Sequence, residues 1–68
     1  MPSFTYKMLS ESGAELCSGT CEMSGSIRPI PASVSEMLET LKSQYSKLCL
    51  RETVVSETEV EYKVERYG

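Results

Sequence analysis

The chain has 68 residues, 40% hydrophobic and 25% charged, with a net charge of −3. That is globular composition for a single domain, 1–68, and a chain this short buries only about 60% of its unfolded surface, so marginal stability is expected. All ten acids are glutamate and histidine is absent, which removes the commonest general base, a frequent zinc ligand and the switch that titrates near neutrality.

No enzyme activity, catalytic residue, metal site or cofactor is therefore expected. The acidic balance also argues against a basic patch for nucleic acid or for an anionic membrane. No stretch approaches the roughly 20 apolar residues of a membrane span, and the opening MPSFTYK lacks the apolar core of a signal peptide. With an odd number of cysteines, three, a reducing, cytoplasmic location is the expectation.

Residues 3–9, SFTYKML, alternate, with Phe4, Tyr6 and Met8 on one face. After the turn SESG, residues 15–23, ELCSGTCEM, alternate again, with Cys17, Gly19, Cys21 and Met23 together. Two period-2 segments around a short loop predict a β-hairpin. Pairing Leu9 with Ala14 sets Tyr6 opposite Cys17 and Phe4 opposite Gly19, which lays an aromatic ring over a strand glycine.

The serines, glycine and prolines of residues 24–32 predict a loop. Ser33 and Glu36 have the spacing of a capping box, and Val34, Met37, Leu38, Leu41, Tyr45 and Leu48 recur at helical steps, so a helix is expected from Ser33 to the region of 47–50. Beyond it lie a strand near 51–55, a turn at SET, and a second strand in which Val60, Tyr62 and Val64 alternate with charged residues. The fold expected is α+β, a small antiparallel sheet in the order β-β-α-β-β with one helix packed on one face.

Cys17 and Cys21 are the only motif with the look of a site. In a regular strand, residues four apart stand about 13 Å apart, too far for a disulfide or for one zinc ion. They read as small apolar residues facing the core. Cys49, at the expected helix end, completes the only thiol set available to a metal or redox site, and that set is the alternative reading.

Two features suit a protein surface. Glu57, Glu59, Glu61 and Glu65 form an acidic row followed by Tyr67, a thin imitation of a nucleic-acid backbone or a solvated strand face. Ile27 and Ile30 flank Arg28 in a proline-stiffened loop, where they suit an interface or seal the open end of the core. The segment FTYKMLSESGAELCSGTCEM also resembles the amino-terminal segment of type II secretion inner-membrane platform proteins through Phe4, Tyr6, Gly13 and Gly19. That resemblance covers residues 4–23 alone, amounts to a hairpin pattern, and carries over no function.

The functional expectation is a small acidic protein-binding module that acts by occluding a partner with a basic surface. A mobile-element or phage-type inhibitor of a host nucleic-acid-binding complex is one such protein. A structural subunit of a larger assembly is the remaining alternative, and a second copy of the chain is a further candidate partner.

Overall fold

The computed structural model describes residues 2–67. Its elements are β1 (Ser3–Leu9), β2 (Glu15–Glu22), α1 (Ala32–Gln44), β3 (Leu48–Ser56) and β4 (Glu59–Arg66), the expected order. The four strands form one sheet in the spatial order β2-β1-β4-β3. Each sequential pair is an antiparallel hairpin, but the two hairpins join through their inner strands, β1 and β4, which run parallel. The sheet is mixed where a purely antiparallel one was expected.

The helix explains the difference. Its 13 residues span about 20 Å at 1.5 Å per residue, so it returns the chain along the sheet to the end from which β2 started. The strand that follows must then run parallel to β2, and a helical crossover is the usual connection for parallel strands. Antiparallel pairing inside each hairpin carries that direction to β1 and β4.

The first hairpin keeps the expected face with a different register. Phe4 pairs with Cys21, Tyr6 with Gly19 and Met8 with Cys17, and an irregularity at Met8 and Leu9 sets Leu9 opposite Glu15. Over the regular part this is a slide of two residues from the expected pairing, so every apolar residue stays on its face. The ring over the glycine is therefore that of Tyr6. A Cβ on Gly19 would lie 2.9 Å from the Tyr6 hydroxyl oxygen, so only glycine fits there without displacing the tyrosine.

The helix begins and ends earlier than its pattern suggests. Pro31 is its N-cap, and the Pro31 carbonyl accepts from the backbone N–H groups of Val34 and Ser35. Ser33 makes no cap, because its hydroxyl is hydrogen-bonded to that of Tyr6. At the other end the last helical bond runs from the Tyr45 N–H to the Leu41 carbonyl, and Tyr45 itself is extended. Lys47, with φ 58°, takes the left-handed turn for which no glycine is present.

Tyr45 and Leu48 are thus outside the helix. Leu48 instead opens β3 and is buried, while Tyr45 is exposed. The steps from Leu41 to Tyr45 and Leu48 match a helical stripe, but Leu48 and Leu50 equally match one face of a strand, and the sheet takes them.

The core lies between α1 and one face of the sheet. Phe4, Tyr6 and Met8 from β1, Val60, Tyr62 and Val64 from β4, and Val34 and Leu48 are buried, with Met37, Leu38 and Leu41 packed partly against them. Among the described residues no helix is long and apolar enough to cross a membrane.

Candidate functional site

The three cysteines do not converge. Cys17 and Cys21 sit on β2, at one edge of the sheet and on its helix-covered face, while Cys49 sits on β3 at the other edge. Cys49 pairs with Glu65 on the uncovered face and is exposed. Among the described residues, no three of Cys, Asp, Glu or His come together as a metal-binding group.

Cys17 and Cys21 are half-buried, not fully enclosed, because an edge strand has a neighbour on one side alone. Burial pushes the Cys17 thiol up, against a lowering hydrogen bond with Ser33 and with a further rise from Glu15. A raised pKa makes it a poor nucleophile at neutral pH.

The acidic row lies on a central strand, not an edge. Glu59, Glu61, Lys63 and Glu65 of β4 alternate with the buried Val60, Tyr62 and Val64, so they occupy the uncovered face of the sheet. Cations interrupt the row: Lys7 of β1 stands opposite Glu61, and Arg51 of β3 bonds Glu65 at 3.2 Å. Such an exposed pair adds little stability, but it reduces the negative field along the row. Glu57 is separate, in the turn between β3 and β4, and Tyr67 follows β4 with 58% of its surface exposed.

The loop of residues 24–31 is tied to that same turn. A bridge between Ser24 and Ile27 folds its first half, and the Arg28 guanidinium donates to the Glu57 carbonyl at 3.3 Å. Arg28 is half-buried, and its Nε is buried without a partner. Its neighbours Ile27 and Ile30 are 66% and 56% exposed, so they do not seal the core. Val54 and Val55, at the β3 end that leads into the Glu57 turn, are exposed as well.

Four aliphatic side chains thus lie open at the end of the sheet where Arg28 meets Glu57. Glu57 lies in the turn at this end, and Glu59 opens β4 from that turn. The structure brings Ile27, Arg28, Ile30 and Glu57 to one end of the molecule and leaves Glu61, Glu65 and Tyr67 away from it. Val54 and Val55 were missed in the sequence. Val54 pairs with Val60 and Val55 lies in the irregularity that follows, so no alternation in the sequence marks either as exposed.

At the other end of the molecule a cleft of about 290 Å³ has Leu16, Leu41, Leu48 and Val64 in its lining. Arg66 stands at this cleft, bonded to Glu11 at 3.1 Å and lying over the Tyr45 ring. Both charged groups there, Glu11 and Arg66, are already partnered with each other. Comparison of the chain with protein-family models, with curated proteins and with solved structures finds no match.

Proposed function

We propose that the protein is a small acidic binding module that acts by covering part of a partner protein's surface, with the loop end of the sheet as its contact. The carrying observation is the exposure of Ile27 and Ile30 on a loop that Arg28 anchors to Glu57. Isolated exposed aliphatics are ordinary, but aliphatics grouped on an anchored loop lose little conformational freedom when a partner covers them.

The partner's complementary surface would be apolar at its centre and basic at its border, facing Glu57 and Glu59. A module of this kind can block a nucleic-acid-binding complex by occupying its basic surface, and these two carboxylates are the part of the acidic row placed to take part. Glu61 and Glu65 would contribute only a general field, reduced by Lys7 and Arg51.

The test is affinity capture from a lysate with the natural chain and with Ile27→Asp/Ile30→Asp, followed by mass spectrometry. A stoichiometric partner retained by the natural chain and lost by the variant supports the reading. Equal capture by both would remove the loop end from it. Loss of binding in Glu61→Lys/Glu65→Lys with the loop variant unaffected would place the contact on the uncovered sheet face.

A further inference from the structure

The two edges of the sheet differ in how they are protected. β3 carries Arg51 and Glu52 in mid-strand and an irregularity between Val54 and Ser56, devices that discourage another strand from adding to an edge. β2 has no charge from Leu16 to Cys21 and no proline, and its own irregularity, at Leu16, lies before the stretch Cys17–Cys21. Its outer side is a free run of strand.

Hydrogen-bond directions along that edge follow from two bonds. The Met23 N–H donates to the Pro2 carbonyl, and the Thr5 N–H donates across the other side of β1 to the Thr58 carbonyl. Backbone groups alternate in direction along a strand. In the regular part of β2, Cys17, Gly19 and Cys21 therefore spend their backbone groups on β1, and Ser18 and Thr20 point theirs outward.

We propose that β2 pairs antiparallel with β2 of a second copy of this chain, around a two-fold axis at Gly19, and so joins two sheets into one. In this register Ser18 faces Thr20 of the second copy, and each such pair exchanges two backbone bonds through the outward groups. Their hydroxyls are also cross-strand neighbours, a favourable pairing. Cys17 faces Cys21 of the second copy at a non-hydrogen-bonded position, where Cα atoms approach to about 4.5 Å.

A two-fold axis through this edge keeps both helices on the same side of the joined sheet. Gly19 meets Gly19 at the axis, where neither copy presents a side chain to the seam. Glu15 and Glu22 fall outside the paired stretch Cys17–Cys21, so no like charges oppose. The second copy is favoured over a foreign strand because this short stretch is complementary to itself at every position. This surface is the edge opposite β3 and does not depend on the loop end being a contact.

Crosslinking by complementation tests the register. Cys17→Ser/Cys49→Ser and Cys21→Ser/Cys49→Ser are prepared separately, then treated with diamide alone and mixed. Each disulfide forms as two thiols give up two protons and two electrons, which reduce the diazene to a hydrazine. Because Cys17 faces Cys21, neither variant alone can form the bond, and the mixture should give covalent dimer. Crosslinking of either variant alone to the same extent as the mixture would overturn the register.

Sedimentation equilibrium tests the association itself. The reduced natural chain should show a concentration-dependent dimer, weakened at least about tenfold by Ser18→Pro, which deletes an outward N–H in each copy and none of the bonds to β1. Thr20→Lys, which adds a charge to the edge without altering the backbone, should weaken it in the same direction. A natural chain that sediments as a monomer at all concentrations, or a dimer indifferent to both substitutions, would overturn the proposal.

Discussion

The inner strands β1 and β4 and the outer strands β2 and β3 have similar lengths and similar shares of apolar residues, yet they differ sharply in what they bury. Six of the eight core residues, Phe4, Tyr6, Met8, Val60, Tyr62 and Val64, come from the inner pair. The outer pair contributes Leu48 and leaves Val54 and Val55 open to solvent. Burial here follows position in the sheet, because an inner strand has neighbours on both sides as well as the helix above it. Hydrophobicity alone does not assign a residue to the core in so small a domain.

The comparison is broken most severely at its centre. Val60→Asp buries a carboxylate at a fully enclosed position, at a cost of several kcal/mol, comparable with the entire stability of a domain this size. Loss of the cooperative melting transition in circular dichroism is the expected result. Leu41→Asp should be milder, since Leu41 is only half-buried and borders the cleft, where a carboxylate can reach water.

Gly19→Ala comes next. The new methyl must push aside the Tyr6 ring, and with it the hydroxyl contact to Ser33. A loss of about 1–3 kcal/mol is expected in urea denaturation. Tyr6→Phe in the same background should lessen the penalty, because the hydroxyl oxygen is the nearest atom.

Tyr62 sharpens the comparison from the inner side. Its hydroxyl is buried without a hydrogen-bond partner, and burial first, then the charge of Glu52, push its pKa up to about 12. Tyr62→Phe should therefore raise stability, by about 1 kcal/mol. The natural chain should also lose stability as the pH rises from about 10 toward 12, because over that range the unfolded chain releases the tyrosine proton and the folded one retains it. A pH series of melting temperatures on both proteins should show a shallower alkaline decline in the phenylalanine variant.

The smallest effect belongs to the outer strands. Val55→Thr, at a position 53% exposed, should change stability by no more than about 0.5 kcal/mol. A larger loss would mean that β3 packs against something in solution, and would add that strand to the contact surface.

Much of this arrangement was legible in the sequence. The alternation of Phe4, Tyr6 and Met8 and of Val60, Tyr62 and Val64 marked both inner strands and their buried faces, and Val34, Met37, Leu38 and Leu41 marked the helix face. Hairpin register was not legible, because a slide of two residues preserves every inward and outward assignment. The end of the helix was obscured for a different reason: Tyr45 and Leu48 satisfy a helical spacing while Leu48 and Leu50 satisfy a strand spacing. The parallel junction depends on where the helix returns the chain, which no local pattern states.

The candidate surface was partly legible. Ile27, Arg28 and Ile30 stood out as a stiffened loop, but nothing in the sequence tied Arg28 to the carbonyl of Glu57, a contact between residues 29 apart. The acidic row was visible as an alternation, yet its dilution depends on Lys7 and Arg51, which reach it only through the sheet order.

The junction between β1 and β4 also governs how the chain must fold. Thr5 and Thr58, joined across it, are 53 positions apart, so the central strands meet only after nearly the whole chain has been gathered. Closing so long a loop is entropically costly, and nonlocal pairing of this kind slows folding. During synthesis the first hairpin emerges without its inner neighbour, exposing Phe4, Tyr6 and Met8 until β4 arrives. Chaperone capture and early aggregation should therefore centre on the amino-terminal hairpin, and changes that slow β1–β4 docking should lower the yield of folded protein even where they leave its final stability unchanged.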